Sequence, residues 1–327
     1  MDRRWPGLLV LLVVLLVAVM VPNVVGKPVA GRPQAERVAG PPAIGDCLTL
    51  EPEVVSRGRG SAEVVPRSPQ PCNADHYAEV VAVIHGVPAA GQGASGRATA
   101  DQGATVTDDR NRVACSDAVW RYLGVPVGAD HVPVLDTYWS PVAFADARSF
   151  GPLPRQRSSG QTWVACVLHL ADTSGWPISY VGSSRNGYAA GTVPTAFALC
   201  LYSRNLNSGA AGTCGAPHPM EVFAATSTAK PGLSQQLLDV SCRRIVDRLT
   251  KMPDPTAGGR LEVRALTIHD PAKAVPVTAG VTRTPTPGLG TAEDQSGFAA
   301  CVVVAPGSGQ LSGSLLGLAT KPVPWAN

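Results

Sequence analysis

Two histidine–glutamate pairs hold the one chemistry-bearing spacing that recurs in this chain. Cys72, His76 and Glu79 stand in the order Cys-x3-His-x2-Glu, followed by Val80 and an apolar run. Cys214, His218, Glu221 and Val222 repeat it. Thiolate, imidazole and carboxylate are all zinc ligands, so the sharpest reading of the motif is a metal site. Two facts stand against it. No two of the eight cysteines lie two to four residues apart, the close pairing that a structural zinc site uses. In an exported chain the cysteines are also taken up in disulfides. The alternative is a structural or binding role. Each imidazole would hydrogen-bond backbone where a strand starts, and Glu79 or Glu221 would pair with it if that start is a turn. We therefore expect no metal and no cofactor.

Other catalytic patterns are weaker. Nucleophilic catalysis needs a serine or cysteine with a base and an orienting group, and the chain has no Gly-x-Ser-x-Gly elbow. His85, His131, His169 and His269 sit in unlike contexts. No glycine-rich phosphate loop lies between a strand and a helix pattern; GSSRNG and GGR read as ordinary turns. Arg155 and Arg157 fall in a polar stretch, 149–160, that reads as a solvated loop. No catalytic residue is assigned. The competing reading is an envelope hydrolase or a metal-dependent enzyme using His76 or His218.

The elements that position the motif also recur. Before each copy comes a short apolar segment with one cysteine, IGDCLTL around Cys47 and AFALCLYS around Cys200. After each comes a helix-like stretch, around Cys115 and around Cys242, and then a strand-like run, TWVACVLHL at Cys166 and FAACVVVA at Cys301. In the first helix Cys115, Ala118, Val119 and Tyr122 share a face. In the second, predicted over 234–252, Leu238, Cys242, Ile245, Val246 and Leu249 do the same. The eight cysteines thus fall as four plus four in one order of contexts, the mark of a tandem duplication.

Each copy should be self-contained, which prunes the possible pairings. Pairing first with second and third with fourth gives Cys47–Cys72, Cys115–Cys166, Cys200–Cys214 and Cys242–Cys301. The helix-to-strand bridges close loops of about 50–60 residues, each restricting the unfolded chain by roughly 4 kcal/mol. The predicted fold is α+β. It has two similar units, each an antiparallel sheet with one helix packed on a face and two disulfides, after an N-terminal transmembrane helix. Residues 88–109 read as a loop, 132–144 and 261–268 as strand-like, and 171–191 as an irregular connector. Residues 311–318 read as an apolar run broken by Gly and Ser, and the tail 321–327 as frayed.

Charge and composition bound the partners. Across 327 residues the formal net charge is +3, with no basic block long enough to suggest nucleic acid. Arg3 and Arg4 precede a nearly unbroken apolar run over 8–21. It lies between the ~20 residues of a spanning helix and the ~7–15 of a signal-peptide core. No good cleavage site follows, so the run reads as an uncleaved signal anchor, a single span, with a cleaved signal peptide as the competing reading; either way the rest of the chain lies outside the cytoplasm. Residues 27–43, rich in Pro, Gly and Ala, read as a stalk. The expected organisation is 1–26 anchor, 27–43 stalk, 44–191 first unit and 192–327 second unit.

GDCL at 45–48, followed by Pro71-Cys72, His76 and Glu79-Val80, resembles the septum-formation-related domain of actinobacterial envelope proteins. The second unit is similar through Cys214, His218, Glu221 and Val222, but has Ala198-Leu199 in place of Gly-Asp before Cys200. The resemblance implies a membrane anchor followed by an exported domain, and a link to septation or envelope growth. It brings no family enzyme activity. The expected function is a non-catalytic binding or scaffold module in the cell membrane, meeting an envelope or division protein.

Overall fold

The computed structural model describes residues 12–16, 38–49, 69–86, 105–143, 145–171, 177–205, 210–228, 232–268 and 297–326, without the side chains of 105–111 and 154. The chain divides into two units, Met1–Ala39 and Gly40–Asn327. In the first, residues 12–16 are helical, and most of the predicted span lies outside the described residues. No helix among the described residues is long and apolar enough to cross a membrane.

The second unit holds two antiparallel sheets. The first is built from β1 (Cys47–Leu48), β2 (Pro69–Gln70), β3 (Ala78–His85), β5 (Ala145–Phe150) and β6 (Trp163–Leu170), in the order β2-β1-β3-β6-β5. The other uses β7 (Leu199–Leu201), β8 (Ala211–Gly212), β9 (Met220–Ser227), β10 (Glu262–Ile268) and β11 (Phe298–Val304), in the order β10-β11-β9-β7-β8. Read from its other edge, the second order matches the first strand for strand. Helix α1 (Thr105–Tyr122) sits between β3 and β5, and α2 (Gln235–Thr250) between β9 and β10.

Register repeats as well. Cys47 lies opposite Glu79 and Cys200 opposite Glu221. The β3–β6 pairing shifts between Val80 and Ala82, leaving Val81 out of register. The β9–β11 pairing passes from Ala224 to Val222, leaving Phe223 out. Val81 and Phe223 hold the same place in the motif, so the duplication extends to the bulge. A bulge bends a strand and raises its local twist, and both bulged side chains join the core that the helices pack against.

Strand alternation separates the two faces of each sheet. In β6, Cys166, Leu168 and Leu170 face the helix-side core, and Trp163, Ala165 and Val167 form a smaller cluster on the reverse face. In β11 the split is Ala299, Cys301 and Val303 against Ala300, Val302 and Val304. Both faces are covered, which is why these strands read as unbroken apolar runs. All four expected disulfides are present, with Cα–Cα separations of 5.1–5.2 Å, and no cysteine is free. Helix α2 begins at an N-cap, Ser234, whose hydroxyl accepts the Leu237 N–H at 3.2 Å.

Three expectations need correction. Residues 105–109 belong to α1 rather than to a loop; the sequence places Asp108 at the end of its first turn, where an acidic residue favours a helix. Among the described residues of 132–144 only β4 (Ser140–Pro141) is strand. Pro133 and the turn at Asp136, whose carboxylate accepts the Thr137 N–H at 2.6 Å, break the rest. The tail is not frayed. Trp325 bridges to Leu311, the Ser312 N–H donates to the Pro324 carbonyl at 2.8 Å, and Arg260 lies over the Trp325 ring.

Strand β4 also ties the repeats together. It leaves the first repeat and pairs with β9 of the second sheet, Ser140 opposite Ala225 and Pro141 opposite Ala224. The neighbouring Trp139 is fully buried and its indole N–H donates to Ser241 of α2 at 2.7 Å. Arg248 donates to the Leu135 carbonyl at 3.0 Å. The two repeats therefore share one core within Gly40–Asn327.

Candidate functional site

His76 and His218 occupy the same position in the two repeats, a single bridge just before the long strand. His76 exchanges backbone hydrogen bonds with Tyr180, and His218 with Leu311. Both residues are 0% exposed. The His76 ring packs on Tyr180, with centroids 4.1 Å apart. Nδ1 of His76 lies 2.9 Å from the Ala74 carbonyl, and Nδ1 of His218 lies 2.7 Å from that of Ala216. A carbonyl only accepts, so each Nδ1 carries a hydrogen, and in the neutral ring Nε2 is left with a bare lone pair. Among the described residues neither Nε2 has a hydrogen-bond partner. Burial pushes the His218 imidazole below its ordinary pKa, and the Ala216 carbonyl pulls it part of the way back.

The carboxylates go elsewhere. Glu79 accepts from the Tyr122 hydroxyl at 2.5 Å, from the Ser183 hydroxyl, and from both the N–H and hydroxyl of Ser184. Glu221 accepts from the Ser314 hydroxyl at 2.7 Å and the Leu315 N–H at 2.7 Å. Both are 0% exposed. Among the described residues no hydrogen bond joins either carboxylate to its histidine, which corrects the pairing expected from the three-residue spacing. The reason is the strand: Glu79 and Glu221 lie inside β3 and β9, and a loop that follows the closing strand reaches them first.

That loop is the feature the sequence reading missed. Residues 182–184, which read in the sequence as an ordinary turn inside an irregular connector, and residues 313–315 are the same device. Each places Gly-Ser just after the residue bridged to the histidine, Tyr180 or Leu311, and each presents a serine hydroxyl and the next N–H to the carboxylate. The signal was Gly182-Ser183 recurring as Gly313-Ser314 downstream of Cys166 and Cys301. The two cradles then differ. Tyr122 is replaced in the second helix by Leu249, and Ser184 by Leu315. Glu221 thereby loses a phenol and a hydroxyl donor, and burial pushes its carboxyl up to about 7 against the opposing pull of Leu315, Ser314 and Leu316. In the first repeat, burial and then the bond to Glu79 raise the Tyr122 phenol above its ordinary pKa.

The cysteines return to the motif in space. Ligand atoms of Cys200, Cys214, His218 and Glu221 all lie within 4.8 Å of one another, and those of Cys47, Cys72 and His76 form a smaller set. Both cysteine pairs are disulfides, and disulfide sulfurs are not thiolate ligands.

The remaining histidines do not converge on these groups. His131 is exposed, at φ +60°, with Nδ1 2.8 Å from the Asp117 carboxylate, which also meets Arg121 at 3.3 Å. His169 is buried at the end of β6, its pKa lowered by burial and then by Arg148. His85 ends β3 and is exposed; His269 lies outside the described residues. Arg155 and Arg157 sit on a short helix, Pro154–Ser158, instead of the expected loop, and Arg157 donates to the Pro152 carbonyl at 2.8 Å. No protein-family model matches the chain, and no curated protein or solved structure shows significant similarity to it.

Proposed function

We propose that this chain is a membrane-anchored envelope protein whose exported body binds a division or growth partner without catalysing a reaction. One observation carries this reading. In both copies of the motif the imidazole and the carboxylate are completely buried, and each carboxylate is held by hydrogen-bond donors from a loop of its own repeat. An active site needs a titratable group open to substrate beside a second reactive group; the motif is built to fix a loop onto a sheet. Four disulfides in the body suit an oxidising compartment, and the apolar run behind Arg3 and Arg4 suits a single span with its positive end inside. The likeness of residues 45–80 to septum-formation-related domains suggests the process. An envelope hydrolase or metal-dependent enzyme working through His76 or His218 finds no such support in the oxidised chain.

A labelling enzyme fused to the C-terminus tests the reading. On intact cells, a membrane-impermeant substrate should tag envelope and division proteins, and externally added protease should remove the fusion. Tagging of cytoplasmic proteins, or a fusion shielded from protease until the cells are lysed, would contradict it.

A further inference from the structure

The spacing of the cysteines in the chain argues against a metal, but the fold removes that objection. The β7–β8 hairpin brings Cys200 to Cys214 at a Cα–Cα distance of 5.2 Å, beside His218 and Glu221. Four donors of the types zinc prefers then lie within 4.8 Å of one another. A tetrahedral zinc with bonds of about 2.0–2.3 Å would hold its donors roughly 3.3–3.8 Å apart, so modest side-chain rotation closes the set.

The histidine supplies the second, independent observation. Its Nδ1–H donates to a backbone carbonyl, which is how a ligating histidine is oriented and its tautomer fixed. The Nε2 lone pair left over is fully buried and has no donor. A buried acceptor without a partner is a standing cost unless something fills it. Glu221 contributes as well, since an oxygen that accepts one hydrogen bond keeps a second lone pair for a cation.

We propose that reduction of Cys200–Cys214 turns the second motif into a zinc site, with Cys200, Cys214, His218 and Glu221 as ligands. Disulfide and zinc are alternatives at one place. The S–S bond breaks on taking two electrons from a thiol or phosphine reductant; a phosphine leaves as its oxide, with oxygen from water, and two thiols form. Zinc then displaces the two thiol protons to solvent. The first repeat offers only Cys47, Cys72 and His76, because Tyr122, Ser183 and Ser184 hold Glu79 away from that set. It should bind metal more weakly.

The test uses the full chain, with cobalt(II) as a coloured stand-in for zinc and a phosphine reductant. The oxidised chain should take up none. The reduced chain should bind one tight equivalent, showing thiolate-to-cobalt charge transfer and the ligand-field bands of a tetrahedral site. His218→Ala should lose those bands, and the matched His76→Ala should keep them. If His218→Ala does not fold, Glu221→Gln decides, and it should weaken zinc binding relative to His76→Ala. The proposal is overturned by no uptake on reduction, by equal uptake in the oxidised chain, or by affinity indifferent to both second-repeat substitutions. It is also overturned if the reduced chain unfolds alike with and without zinc, judged by far-UV circular dichroism.

Discussion

Glu221 shows how two exchanged side chains change the chemistry of a duplicated position. Its counterpart Glu79 keeps a phenol and two serine hydroxyls; Glu221 has Leu249 and Leu315 where two of those donors stood. Its carboxyl, raised from 4.5 to about 7 by burial, binds its proton more tightly folded than unfolded. The stability it contributes is therefore present below pH 4.5 and lost as pH rises through about 7. Glu221→Gln removes that dependence while keeping both contacts, because an amide can accept from the Leu315 N–H and donate to Ser314. In the oxidised protein, urea unfolding at pH 4.5 should place variant and wild type close together. At pH 8 the variant should be the more stable, by about 3 kcal/mol. An unchanged difference between the two pH values would show that the carboxyl stays ionised in the fold. His218 works in the opposite direction: its lowered pKa removes stability as pH falls below the ordinary 6.5, and it is common to both proteins. The motif residues themselves were legible in the sequence because type and spacing recur. Their partners were not, since the bond from Glu79 to Ser183 joins positions 104 apart and no local period records it.

At the scale of elements, the helices that carry cysteines were legible because each holds an apolar stripe of helical period, and β6 and β11 because each is an unbroken apolar run. Strand β4 was not. It is two residues long, contains Pro141, and is strand only because the edge of β9 beyond the short β7 accepts it. The connection from α1 to β5 in the first repeat spans positions 123–144 of the sequence; its counterpart from α2 to β10 spans only 251–261. The extra length is what reaches the other sheet, with Trp139 as its anchor. Replacing Trp139 by Ala should cost about 3–5 kcal/mol, since it empties a fully buried indole site and strips Ser241 of its donor. Hydrogen exchange gives the sharper readout. Amide protection should fall along β9 near Ala224 and Ala225, in the repeat that does not contain the mutation, more than along β3. Loss confined to the first sheet would mean that β4 does not brace the second.

In the molecule as a whole, two stapled repeats of one strand order are joined into one core. Each repeat has its own helix, its own five-strand order, its own bulge and its own two disulfides, and the shared interior runs between them. Buried bridges at Cys115–Cys166 and Cys242–Cys301 tie the helix of each half to β6 or β11, the strand paired with the central β3 or β9. Non-reducing peptide mapping by mass spectrometry, on protein taken from its native cells with thiols blocked at lysis, tests this most directly. It should find Cys47 with Cys72, Cys115 with Cys166, Cys200 with Cys214 and Cys242 with Cys301, and no alkylated cysteine. A bridge crossing from one repeat to the other, or a set of blocked free thiols in the mature protein, would contradict it.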